Sequence, residues 1–289
     1  MTILSVVQDV SNELGLPTVS TVIGNTDLTV TQLLATTKRS IKEARQLYDW
    51  PQLTKETTIT LVSAQANYAL AADFNRFQFD TVWDRTNKWM LVGGVTPQVW
   101  QYDQSGITNI TPRKTFRVKS ILDNQFYIYP TPSSGEAGGI LAYEYQSRTV
   151  IRPVTWTAST AFAASSWSFY NGNIYQTTSG GTTGSTAPTH TTGSASDGGV
   201  TWAYSSAAYE TFVADTDVCL IDENCITMDV KWRFMQQKGM DYLDLKLESQ
   251  QAMKRFSTNL RAARTLRMCG ESPINFLSSN NLPDSGFGT

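Results

Sequence analysis

The feature that most limits what this chain can fold into is the stretch 153–209, where Asp197 is the one charged side chain in 57 positions. Ser, Thr and Gly fill 29 of those positions, a composition suited to a flexible linker. Nine aromatics in the same stretch argue otherwise, because a linker has no use for them. Two short signals supply structure. Tyr170-Asn171-Gly172-Asn173-Ile174-Tyr175 carries the Asn-Gly signature of a tight hairpin, and Gly198-Gly199-Val200-Thr201-Trp202 reads as a turn leading into a strand. The stretch therefore reads as a small β module set into a loop, with half or more of its aromatics forming its own core.

The flanks are charge-rich and patterned differently. Ile3, Val6, Val7, Val10 and Leu14 recur at helical spacing, and Gly15 with Pro17 supplies a stop. Asp27 or Thr29 caps a second helix with Val30, Leu33, Leu34, Thr37, Ile41, Ala44, Leu47 and Tyr48 on one face, ended by Pro51. Between 56 and 147 come short runs rich in Thr, Val and aromatics: ETTITLV, FQFDTVW, KWMLV, QVWQY, FRVKSIL, QFYIYP and ILAYEY. They predict an antiparallel sheet, with a hairpin over Ser120–Pro130 turning near Asp123 and Asn124. Helical character returns from Asp222 to Met268. Cys225, Met228, Trp232 and Met235 mark one stripe and Tyr242, Leu245, Ala252, Phe256 and Leu260 a second, with Gly239 as the break.

The expected fold class is α+β. Helices in 1–55 and 210–270 pack together as a bundle, 56–152 forms an antiparallel β domain, and 153–209 is the inserted module. Residues 271–289 form an extended arm with Ile274, Phe276, Leu277, Leu282 and Phe287 as apolar anchors.

A formal net charge of −2 excludes a wholesale nucleic-acid binder, leaving only local basic patches. No run approaches the roughly 20 apolar residues of a membrane span, and MTILSVVQDVSNELG lacks a basic n-region, so use without export is expected. Three cysteines, Cys219, Cys225 and Cys269, do not make a disulfide framework, and Cys219-x5-Cys225 lacks the second pair of a zinc site. His190 stands in TAPTHTTGS without a neighbouring carboxylate or cysteine and reads as a loop residue. GGTTGS lacks the Lys-Ser/Thr ending of a phosphate loop, so neither cofactor nor metal is expected.

Three groups carry more than one reading. Asp215, Asp217, Asp222 and Glu223 could hold a glycosidase-like acid pair, but acids ahead of a helix complement its dipole, and Asp222 suits a cap. Lys254, Arg255, Arg261, Arg264 and Arg267 could face phosphates or complement a helix C-terminus. Trp167, Tyr170, Tyr175 and Trp202 could stack on sugar rings or form a core.

The first helix ending in ELGLP, the second ending in LYDWPQL before a strand-rich block, the late helices and the apolar-dotted tail resemble bacteriophage head-to-tail adaptors, nearest the tail tubular protein A group. The likeness covers 1–152 and 210–289 and rests on order and texture. Separately, YNGNIYQTTSGGTTGSTAPTH followed by GGVTWAY is similar to small carbohydrate-binding-type β modules of phage virion proteins. The adaptor resemblance implies a non-enzymatic ring of about twelve copies beneath the portal protein. Such a ring would receive the tail nozzle or tail tube and continue the channel for double-stranded DNA. It would sit in the virion neck after synthesis in the host cytoplasm. Ile274, Asn275, Phe276 and Leu277 would anchor to the portal, and the basic helix would face DNA or an acidic portal surface. The insert would be dispensable for assembly. Competing readings are a virion protein that contacts host glycans through the insert, and a cell-wall hydrolase using an acid pair.

Overall fold

Residues 2–78, 80–93, 95–105, 114–120 and 124–259 are described by the computed structural model. The ends of its first two helices follow from side chains that satisfy free backbone groups. In α1 (Ile3–Glu13) the Thr2 hydroxyl accepts from the Ser5 N–H at 3.2 Å. Gly15, at φ +66°, turns the chain so that the Leu16 N–H reaches the Ser11 carbonyl at 2.8 Å. Asp27 caps α2 (Leu28–Leu47), accepting from the N–H groups of Thr29 at 2.7 Å and Val30 at 3.4 Å. Val30, Leu33, Thr37, Ile41 and Ala44 are buried as their spacing predicts, but Leu47 is 64% exposed. Trp50 takes the core position instead, fully buried, with its indole N–H donating to the Ala44 carbonyl at 2.8 Å.

The described parts of Met1–Leu53 and Ser147–Ala262 gather into one compact unit, and those of Thr54–Gln146 into a second. The second unit holds β1 (Thr54–Thr60), β2 (Asn67–Ala69), β3 (Phe74–Phe77), β4 (Trp83–Asp84), β5 (Trp89–Met90), α3 (Pro97–Gln104), β6 (Thr115–Ser120), β7 (Gln125–Tyr129) and β8 (Ile140–Ser147). β8 is central to one sheet: Ala142 stands opposite Thr58 of β1 on one side and Trp83 of β4 on the other, and β3 also pairs with β8. The other sheet runs β2-β7-β6. Its hairpin pairs Val118 with Phe126 and returns through Asn124 at φ +49°, while Asp123 lies outside the described residues. The core between these strands is aromatic, with Phe126 and Tyr143 packed edge to face at 5.9 Å.

Two of the expected strands in this unit are corrected. QVWQY belongs to α3: the Thr96 hydroxyl accepts from the Val99 N–H at 3.3 Å and Pro97 opens the first turn, both helix-start signals. Only Trp100 of this helix is buried, so it shows no helical apolar period. FQFDTVW is not one strand; β3 stops at Phe77, Asp80 adopts φ +55°, and β4 starts at Trp83.

β9 (Ile151–Arg152) pairs antiparallel with β16 (Val218–Cys219), bringing the two ends of the intervening segment together. Between them lie β10 (Ala161–Phe162), β11 (Trp167–Tyr170), β12 (Asn173–Ser179), β13 (Gly181–Thr182), β14 (Ser194–Asp197) and β15 (Val200–Ser205). The main sheet runs β11-β12-β15-β14, and β10 pairs with β13. Asn171 and Gly172, at φ +46° and +84°, form the tight turn that the Asn-Gly pair predicts.

Because strand side chains alternate, β11 and β12 serve two cores. Tyr175 turns to a small cluster with Val200 and Trp202, whereas Ile174, Trp167 and Phe169 join the core of the helices. The segment is thus fused to its unit by a shared apolar layer.

α4 (Glu223–Gln237) packs against α1, α2 and α5 (Leu243–Asn259). Asp222 caps it, accepting from the Cys225 N–H at 3.2 Å, and Gly239, at φ +72°, follows its end. The expected stripe needs correction: Ile226, Val230 and Phe234 are buried with Cys225 and Trp232, while Met228 and Met235 are only partly so. A helix covered on several sides has no single apolar stripe to read. In α5, Met253 is buried and Ala252 and Phe256 pack on the same core; Leu260 lies outside the described residues.

Replacing Trp167 with Ala removes a ring that packs against the core shared with the helices and on Tyr209 at 5.3 Å. A loss of about 2 kcal/mol is expected, below the range for a fully buried Trp. Urea melts of the whole chain check it; a change confined to local fluorescence would show the segment to be uncoupled from the helices.

Candidate functional site

The acid cluster ahead of α4 is engaged in holding backbone. Asp217, 1% exposed, accepts from the Tyr209 hydroxyl at 2.9 Å and from the N–H groups of Val213 and Ala214 at 2.7 and 3.0 Å. Burial, reinforced by Asp217, drives the Tyr209 phenol far above its ordinary pKa. Asp215 accepts from the N–H groups of Val22 and Ile23 at 3.1 and 2.7 Å, tying the α1–α2 loop to the segment before α4. Glu223 accepts from the Ser5 hydroxyl at 3.0 Å. With Asp222 as a cap, all four acids act as structural struts.

Two of the four module aromatics are likewise committed to packing. Tyr175 and Trp202 are fully buried, so packing leaves no ring face on which a sugar could stack, and that expectation is corrected for both. Trp167 lies against Tyr209, and Tyr170 meets Trp156 edge-on at 5.7 Å. The His190 ring packs on Tyr175 at 5.1 Å, and Tyr175 donates its hydroxyl to the His190 carbonyl at 3.0 Å. His190 also lines a polar groove of about 450 Å³ with Ser185, Thr186, Thr189 and Ser196. Cys219 and Cys225 are free thiols that burial pushes up to about 12, away from reactivity. Among the described residues, no group of three or more His, Cys, Asp or Glu could hold a metal ion, and no helix is long and apolar enough to cross a membrane. Lys254 and Arg255 are exposed on α5. Arg261, Arg264, Arg267, Ile274, Asn275, Phe276 and Leu277 lie outside the described residues.

Two buried carboxylates organise the packing around them, Asp229, which the sequence pattern does not mark, and Asp197. Asp229 accepts from Ser40 of α2 at 2.5 Å, from Trp232 and Arg233 of α4 at 2.8 and 2.6 Å, and from Ser249 of α5 at 3.4 Å. Arg233 continues the chain to Glu43 of α2 at 2.7 Å. The available signal was the Asp229–Arg233 pair one turn apart on a helix otherwise rich in apolar residues. Asp197, the lone charge of its segment, accepts from the indole N–H groups of Trp156 and Trp202 at 2.9 and 3.4 Å and from the Gly184 N–H at 2.8 Å.

The four acids ahead of α4, the Tyr175 and Trp202 rings and the Asp229 network are thus all engaged within the fold. Residues 1–179 match the family described as SU10 adaptor protein, a span that takes in α1, α2, the whole β unit and the strands through β12. The chain belongs to this family and is a phage adaptor protein, a component of the virion. No curated protein matches it.

Asp229→Ala leaves a buried guanidinium short of a partner and strands three further donors; a loss of about 3–5 kcal/mol is expected in denaturant melts, more than for Asp229→Asn. Hydrogen bonding from Arg39, then from Arg233, holds the Glu43 carboxyl below its ordinary 4.5 despite the opposing effect of burial. A depressed folded pKa means stability that is present above the ordinary value and lost as pH falls through the folded one. Thermal melts should show wild type losing stability more steeply than Glu43→Gln below pH 4.5; parallel curves would remove Glu43 from the acid response.

Proposed function

We propose that this adaptor forms a ring of about twelve copies in the virion neck, seated beneath the portal protein, receiving the tail nozzle or tail tube and continuing the DNA channel. The observation that carries the reading is the adaptor-family match over residues 1–179. A closed ring needs unlike faces in contact, and a unit of several helices locked together offers such faces without deforming. The division of labour follows the sequence: 1–55 and 210–270 as adaptor core, 56–152 as β domain, 153–209 as insert and 271–289 as arm. Ile274, Asn275, Phe276 and Leu277 anchor the arm to the portal, folding onto it from an extended state. Lys254, Arg255, Arg261, Arg264 and Arg267 face the passing duplex, or an acidic portal surface, without sequence preference.

A second reading, contact with host glycans, keeps one supporting observation: both ring nitrogens of His190 are buried without a hydrogen-bond partner beside the hydroxyl-lined groove of the insert. A glycan array probed with the full chain separates the two, since an adaptor alone gives no signal.

Native mass spectrometry with purified portal rings tests the main reading. Wild type is expected to appear as a ring on the portal. A chain ending at Met268 is expected to keep its circular dichroism spectrum and lose attachment. Normal attachment of the shortened chain would take the arm out of the mechanism.

A further inference from the structure

Two helices of the same unit expose faces of opposite charge. On α5 and the turn before it, Met240, Leu243 and Leu247 are 44%, 60% and 56% exposed, and Asp244 and Glu248 lie exposed beside the leucines. On α2 the outward side carries Lys42, which is exposed, and Lys38, which is half-buried, with Ala35 exposed between turns and Leu47 at its end. Among the described residues no ion pair engages Lys38, Lys42, Asp244 or Glu248. The neighbouring Arg39 is already paired, to Glu43 at 2.8 Å.

The two sets share a spacing. Lys38 and Lys42 are four residues apart, as are Asp244 and Glu248 and the two leucines, a rise of about 6 Å in each case. Two helices laid together can match both charge pairs at once, with the lysine stems covering the leucines while their ammonium groups stay wet. Within one molecule no ion pair joins the two faces: Ser40 of α2 and Ser249 of α5 both reach Asp229, so it is the opposite side of each helix that turns outward.

We propose that the acidic, leucine-bearing face of α5 in one copy docks on the basic face of α2 in the next copy. The contact joins unlike faces, as a ring requires, and so rests on the ring reading above. A second copy is the favoured occupant because it brings the complementary charges at the same one-turn spacing. A self-paired α5 contact would instead close a dimer, and an occupant on the portal would leave α2 uninvolved.

Charge exchange in the full chain tests it. Asp244→Lys with Glu248→Lys, and separately Lys38→Glu with Lys42→Glu, are each expected to reduce ring assembly on portal at least tenfold by native mass spectrometry. Mixing the two variants is expected to restore rings in which they alternate, because every interface then pairs opposite charges. Leu247→Ser, an exposed change that leaves the core alone, should also weaken assembly, and thermal melts within a few degrees of wild type confirm folding. Rings that form equally well from either variant alone, or a mixture that stays dispersed, would overturn the contact while leaving the ring standing. Wild type that never assembles would overturn both.

Discussion

A carboxylate buried to 5% exposure must find donors or give up its charge, and Asp229 finds four of them on three helices. Apolar packing alone leaves helices free to slide by a fraction of a turn at little cost, because methyl groups accept many neighbours. A hydrogen-bonded charge accepts few geometries. Ser40 must lie opposite one oxygen and Ser249 opposite the other, which fixes the register of α2 and α5 along α4. Arg233 extends the lock to Glu43, and its guanidinium also covers the Trp232 ring at 4.5 Å. The outward faces of α2 and α5 are fixed by the same register.

Asp197 applies the same logic on a smaller scale. A four-stranded sheet with Tyr175, Val200 and Trp202 as its central buried residues has little apolar area to spend, so orientation must come from elsewhere. One carboxylate collects two indole N–H groups and a loop N–H, placing Trp156 and Trp202 on a common centre. The loop approaches closely because it is glycine: a Cβ on Gly184 would stand 2.6 Å from the Asp197 carboxylate, and one on Gly181 would stand 2.3 Å from the Gly199 carbonyl oxygen.

Much of this was legible where one local rule acted alone. Asp27 and Asp222 cap helices, Gly15 and Gly239 end them, and Asn171-Gly172 turns a hairpin, because each effect lies within a few residues of its cause. Legibility failed where a partner distant in sequence decides the outcome. Nothing near Asp229 announces Ser40, 189 positions away, and α4 hides its burial by having several covered sides. α3 misled for the opposite reason: Trp100 is its one buried side chain, so the aromatic run reads as strand while Thr96-Pro97 quietly starts a helix. The sugar-stacking aromatics were a choice between a wet face and a dry core, which composition alone does not make. The basic stripe and arm anchors rest on sequence pattern; of these residues only Lys254 and Arg255 are described, as exposed side chains of α5.

The segment between β9 and β16 illustrates why composition and physical boundary need not coincide. Charge disappears from the sequence after Arg152, yet the apolar layer continues through β11 and β12 into the helical core. Period-two alternation makes this unavoidable: a strand with Ile174 on one side and Tyr175 on the other, both buried, must have something packed against each face. The family match ends at Ser179, the last residue of β12, and so includes both strands that face the helices. Cutting at the change in composition would remove Trp167, Phe169, Ile174 and Tyr209 from a core that Phe212 and Ile221 also help to form. The uncharged stretch is distinct in chemistry, but half of its sheet belongs structurally to the adaptor.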